Sequence, residues 1–396
     1  MEGSRGSAKL GEYLKRLRKG YGFSLRRVEE RAREEGGEID NSQLSRYEKG
    51  RCYPSFDKLR ILSAIFNVPI QAFSDVMDLE KYDCFKPEST DFQLLREEGN
   101  AEMRRGNFGR AYVIFEKCME ALDPAKEYSD SPSWEELRAL CHYNMARALL
   151  RLGKVNLSEN ELRRLLRNSH FLDDHTKMLA LILLSNVHKE QGDRFLAIVE
   201  AEKCLSMAEE RGDQEYAGYS LHALGSAWYE EGDYHRAADF MGRALDAYRE
   251  IGRTEQVTTL LADIGVCDVA LGKPQKGLRE IQGSIRSARK EGRRRALAYG
   301  LAKKGIAHFL MEDFASAKDF LEQAEIIAGG GDEKYADILF LSAFYLWNLS
   351  RKNGNPVSEK IAFGRLKHLR PSLERSFREV QRFDEFIQNG REEWAP

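Results

Sequence analysis

The sequence predicts an all-α chain: a small helical head followed by an α-solenoid. Two observations predict it. Small residues recur every 40 positions through the body, at Ser185, Gly225, Gly265 and Gly305. Leucines at helical spacing, capping residues and glycine stops divide the first 75 residues into short helices. The composition agrees, because 42% apolar and 32% charged residues suit an elongated stack with much solvated surface.

In the head, Leu10, Leu14 and Leu17 mark a first helix that Gly20 and Gly22 end. Ser24 caps a second, with Leu25 and Val28 turned inward, and Gly36 and Gly37 stop it. Asp40 caps a third, Asn41 to Lys49, closed by Gly50. Pro54 and Ser55 precede a fourth carrying Leu59, Leu62, Ile65 and Phe66, and Val68 and Phe73 complete the core. A fifth short helix fits before residue 75. Residues 1–75 hold 15 Lys/Arg against 11 Asp/Glu, whereas the remainder is net acidic, so a polyanion would meet the head.

The third helix, with Leu44, Ser45, Glu48 and Gly50 and then Pro54, resembles the recognition helix of the phage-repressor-like (XRE) helix-turn-helix family. The resemblance implies double-stranded DNA as partner. A recognition helix enters the major groove by its N-terminus. Asn41, Ser42 and Arg46 then face base edges, while Arg26, Arg27, Gln43, Lys49 and Arg51 are phosphate contacts. Leu44, Tyr47 and Leu59 are expected in the core. Two features depart from the family: the turn before the third helix is about five residues longer, and Leu25 replaces a Gln common at the start of the second. The cluster Lys15, Arg16, Arg18, Lys19 is expected to be a solvated helix face.

In the body, a small residue follows each 40-residue anchor by twelve positions (Ala197, Ala237, Gly277, Ala317) and another by nineteen (Cys204, Ala244, Ser284, Ala324). Gly99, Ala111 and Cys118 start the same pattern earlier. Turns fall at Gly106, Gly192, Gly232 and Gly272, with Glu312 at the fifth, and between units at Gly212, Gly252 and Gly292. The pattern resembles the tetratricopeptide repeat with lengthened helices, and that resemblance implies a right-handed α-solenoid. The expected organisation is a helix-turn-helix domain at 1–75, a linker at 76–91, about six repeats at 92–330, the second of them divergent with Ala146 and Gly153, and a helical cap at 331–396. The Lys86-Pro87 stretch should break any helix in the linker, and Phe340, Phe344 and Trp347 should lie inside the cap.

The first helix of each pair lines the concave face in tetratricopeptide proteins. By that resemblance Arg96, Asn100, Asn144, Asn186 and His222 form a groove for a peptide or protein effector, Asn offering both a donor and an acceptor. Leu179 and Leu183 interrupt the clamp pattern in the third unit. Head and solenoid together resemble the peptide-pheromone receptors of Gram-positive bacteria, the Rgg, PlcR, PrgX and NprR group. That resemblance implies a transcription regulator whose DNA binding answers to an effector, assembled as a homodimer. The alternative is a protein-binding adaptor whose head no longer reads DNA.

No phosphate loop, metalloprotease signature or nucleophile elbow supports an enzyme, and neither a cofactor nor a metal is expected. The six cysteines lack metal or disulfide spacing. The apolar-rich stretch Ile338–Leu349 is too short to span a bilayer and predicts a buried helix. No secretory leader is evident, so a cytoplasmic location is expected. Arg293-Arg294-Arg295 is expected to be a solvated turn.

Overall fold

The structure, a computed structural model, describes residues 6–122, 134–167, 172–330, 334–373 and 377–389. They form twenty α-helices, and no strand occurs among them. The chain divides into two compact units, Met1–Asp173 and Asp174–Pro396.

The first unit opens with five short helices: α1 Ala8–Gly20, α2 Leu25–Glu34, α3 Asn41–Glu48, α4 Phe56–Phe66 and α5 Ile70–Asp78. Four start on side-chain caps. Ser7, Ser24, Asp40 and Ser55 each accept a hydrogen bond from the backbone N–H three residues on. Leu10, Leu14, Val28, Leu44, Leu62, Phe66 and Phe73 fill the core between them. The lengthened turn is built into this core. Gly36 takes a left-handed φ of 73°, Ile39 plugs inward at 1% exposure, and the Lys58 ammonium donates to the Glu38 carbonyl.

The expected linker, residues 76–91, begins with regular structure and has no helix from 86 to 91. Val76 is buried in the last turn of α5, and Leu79–Phe85 form a 3-10 turn that packs on the second repeat helix. The pattern Val76, Leu79, Tyr82 is apolar at helical spacing, a signal overshadowed by the Pro87 break. Four helices follow: α6 Phe92–Arg104, α7 Phe108–Ala121, α8 Trp134–Arg151 and α9 Val155–Arg167. The head sits directly on them. Lys9 pairs with Asp83 (2.9 Å) and Glu116 (2.7 Å), and Lys154 with Asp75 (3.0 Å) and Asp78 (2.6 Å).

The second unit stacks five helix pairs and a closing helix: α10 Asp174–Glu190, α11 Arg194–Arg211, α12 Gln214–Glu231, α13 Tyr234–Glu250, α14 Thr254–Ala270, α15 Pro274–Lys290, α16 Arg294–Leu310, α17 Phe314–Gly329, α18 Ala336–Lys352, α19 Pro356–Leu369 and α20 Arg378–Asn389. The small anchors act by close approach. A Cβ on Gly277 would meet the Gly265 carbonyl, so α14 and α15 cross almost backbone to backbone. At the α10–α11 crossing the Ser185 hydroxyl instead donates to the Ala197 carbonyl (2.8 Å). Phe340, Phe344 and Trp347 are buried with Phe383, as expected for the C-terminal core.

The turns Gly192, Gly232 and Gly272 all have positive φ, and Glu312 holds the same conformation at φ 62°. A side chain pays roughly 1–2 kcal/mol there. Glu312→Gly is expected to raise the stability of the second unit by about 1 kcal/mol, read as a higher melting temperature. An unchanged or lower value would count against strain at this turn.

Candidate nucleic-acid interface

The face of α3 carries the residues the sequence singled out. Asn41, Ser42 and Arg46 are exposed, as are Lys49 and Arg51 just beyond the helix; Gln43 is half-buried. Leu44 and Tyr47 point into the core, and Leu59 is half-buried beside it. The helix is fixed at both ends. At its start the Asp40 carboxylate accepts from the Gln43 N–H (2.7 Å), which holds its pKa below the ordinary value. The Asn41 N–H donates to Glu29 of α2 (3.3 Å). At its end Glu48 takes two hydrogen bonds from Arg18 of α1, 2.6 Å to Nε and 2.8 Å to Nη2. This planar two-pronged pair resists rotation of α3. Arg26 and Arg27 are exposed on α2 but share Glu30 (3.7 and 3.0 Å). Phosphate contact by either therefore competes with that carboxylate.

The expected solvated cluster on α1 needs correction. Arg18 is consumed by Glu48, and Arg16 turns into a polar seam between the head and the first repeats. That seam is a small cavity whose polar lining is Lys9, Tyr13, Arg16, Tyr112, Asn160 and the two carboxylates Glu116 and Glu161. Lys15 and Lys19 alone keep substantial exposure. An arginine on the leucine-bearing side of α1 needs a carboxylate opposite it, and Glu161 supplies one.

Glu161 was invisible as a functional residue in the sequence, although it interrupts the stripe Leu157, Leu165 on α9. It is buried, 2.7 Å from Arg164 and 2.6 Å from His142 Nδ1 on α8. Burial alone would raise its pKa. Arg164, His142 and Arg16 outweigh that and bring it down to about 2. Tyr13 across the seam is pushed by burial up to about 12. Glu161 thus contacts α8 and α9 and faces the head across one carboxylate.

The five groove residues divide between the units. In the first, Arg96 and Asn100 are half-buried on α6. Asn144 is a correction: it is 4% exposed, and its amide oxygen accepts from Arg147 (3.2 Å), so it is engaged within α8 rather than presented to a ligand. In the second unit, Asn186 is exposed on α10. His222 on α12 is half-buried edge-on to Tyr248, and burial lowers its pKa.

A buried polar group on the first helices of the second unit was missed. Lys303 of α16, 5% exposed, lies 2.8 Å from Asp263 of α14 and 3.4 Å from the Tyr229 hydroxyl of α12. Tyr299 donates to the same Asp263 oxygen (2.7 Å). Burial would lower the Lys303 pKa, yet Asp263 and the two tyrosines raise it well above the ordinary value. A 40-residue spacing between Asp263 and Lys303, at nearly equal repeat positions, was the available signal. The run Arg293–Arg295 is likewise tethered and not a solvated turn. Arg293 pairs with Glu291 (2.6 Å), Arg294 donates to the Ile327 carbonyl (2.9 Å) and Arg295 to Asp337 (3.1 Å). Among the described residues no helix is long and apolar enough to cross a membrane.

Residues 14–73 match a helix-turn-helix family model. No curated protein matches the chain. Several solved structures are similar in fold. Aspartyl phosphate phosphatase F from Bacillus subtilis is 16% identical, with 95% of this chain and 98% of that one covered at a TM-score of 0.57. NprR in complex with its cognate peptide NprX is 15% identical, covering 76% and 83% at 0.55. The Rap conjugation gene regulator of the plasmid pLS20, in complex with the Phr* peptide, is 14% identical, covering 95% and 97% at 0.51. The chain thus joins a helix-turn-helix domain at residues 14–73 to helical repeats with the fold of NprR and the Rap proteins.

Proposed function

We propose that the protein is a sequence-specific, DNA-binding transcription regulator, not an enzyme, whose repeats take a peptide or protein effector that alters DNA binding. The observation that carries this reading is α3: a capped, doubly anchored helix presenting Asn41, Ser42 and Arg46 beside Lys49 and Arg51. Asn suits adenine and Arg suits guanine, each through two hydrogen bonds. NprR and the pLS20 regulator hold peptides in their solved complexes, which supports a peptide as effector. The protein acts in the cytoplasm as a homodimer, since one head of this size reads only a half-site.

Arg46→Ala or Asn41→Ala is expected to cost roughly 1–3 kcal/mol at a preferred site and to relax base preference there. Lys49→Ala is expected to weaken all duplexes alike. Selection from a randomised duplex pool followed by affinity measurement at fixed salt reads both effects. If Arg46→Ala keeps the wild-type preference, the docking of α3 is wrong.

The acidic residues Glu34, Glu35, Glu38 and Asp40 before α3 favour a second reading, an adaptor whose head repels DNA. No duplex selected above background by the wild type would establish it. For the effector, a bound peptide must change DNA affinity by the factor by which DNA changes peptide affinity. Asn186→Ala should weaken that peptide, since its side chain is exposed on α10.

A further inference from the structure

Of the second helices in its unit, α15 has the largest excess of basic residues. It bears Lys276, Arg279, Arg286, Arg289 and Lys290 against Glu280 alone. In α13 three arginines face three acids, α11 and α17 are net acidic, and α19 carries three cations against Glu359. Lys276 is engaged with Asp268 (2.8 Å) and Glu280 (3.7 Å). Among the described residues Arg279, Arg286, Arg289 and Lys290 pair with no carboxylate, and all four are exposed. Their field reaches inward: burial first, and Arg289 next, lower the pKa of Lys304 on α16.

Arg279, Arg286 and Lys290 share one side of the helix, since steps of seven and four residues return to nearly the same direction. Gly283 lies between them with open space where a side chain would project. No large apolar side chain of α15 is exposed. That composition selects among anionic partners. A protein interface needs an apolar or aromatic anchor in its centre. A helix lying on a membrane needs an apolar side to insert. A nucleic-acid backbone needs neither, because charge and released counterions supply the binding.

We propose that the α15 face is a second nucleic-acid contact, gripping the phosphate backbone without reading bases. From Arg279 to Lys290 the helix runs about 17 Å, matching roughly five phosphates along one strand. The site is distinct from α3, so it holds or fails apart from the function proposed for the head.

The test is binding of the full chain to a mixed-sequence 30-base-pair duplex between 50 and 200 mM salt. The triple variant R279Q/R286Q/K290Q is compared with wild type, with R46A, and with K203Q/K318Q/K360Q, which removes the same charge from exposed positions on three other helices. Loss of three phosphate contacts flattens the log–log salt slope by roughly 2.7, so the fall in affinity across this range shrinks about 40-fold. The α15 variant is expected to show that flattening and the dispersed variant a wild-type slope. A wild-type slope in the α15 variant overturns the proposal, as does equal flattening in both triples. Competition by polyglutamate as effective, per charge, as unlabelled duplex overturns the assignment to nucleic acid. Weakening by R46A alone leaves the head's role standing and removes that of α15; weakening by the α15 variant alone does the reverse.

Discussion

Glu161→Ala is expected to destabilise the first unit by about 3–5 kcal/mol, the usual cost of removing one side of a buried charged pair. Arg164 and His142 lose a direct partner, and Arg16 loses the carboxylate that justifies its position under the head. Glu161→Gln keeps the shape and one acceptor and should cost less. The effect has a pH signature. The folded pKa, about 2, lies below the ordinary value of 4.5, so the stabilisation is fully present above pH 4.5. It disappears as pH falls from there toward 2. The shift is equivalent to about 3 kcal/mol. Urea unfolding of wild type should therefore weaken across that window more steeply than unfolding of Glu161→Gln. Parallel curves, or a Glu161→Ala loss under about 1 kcal/mol, would show that the seam is solvated.

The second unit should respond as strongly at Lys303. Lys303→Ala strands Asp263 at 6% exposure with only the Tyr299 hydroxyl to satisfy it, again about 3–5 kcal/mol. Removing both charges is a different experiment. Lys303→Met with Asp263→Leu replaces a buried pair by apolar groups of similar volume and should recover most of the loss. Thermal unfolding of Lys303→Met alone, beside the double variant, separates a costly unpaired charge from a cavity, since Met fills the space in both and only the single variant strands Asp263.

The fold was legible because its determinants are local or periodic. Ser24, Asp40 and Ser55 announce helix starts, and the interval from Ser185 to Gly305 repeats a backbone crossing three times. The face of α3 was legible for the same reason, since alternation of Leu44 and Tyr47 with Asn41, Ser42 and Arg46 decides burial within one helix. What escaped depended on pairings between distant segments. Arg16 with Glu161 is separated by 145 positions, and nothing in α1 distinguishes it from a solvated arginine. Asn144 escaped for a subtler reason. Repeat position places it on a first helix, but its neighbour Arg147 one turn on takes its amide. The ordered course of 76–85 was hidden by Pro87, whose effect extends to its own neighbours and not to the 3-10 turn before it.

The reach of Lys303 has a thermodynamic consequence for the array. In a stack where each repeat touches only its neighbours, stability is a sum of local terms, and an end repeat can melt while the middle persists. Here α14 packs against α16 as well as α15, and Lys303 also reaches past them to Tyr229 on α12. Opening any one of these helices exposes a charge that two others depend on. Amide hydrogens of α12, α14 and α16 should therefore exchange through one shared opening, with a common free energy and a common dependence on denaturant, rather than in a gradient along the chain.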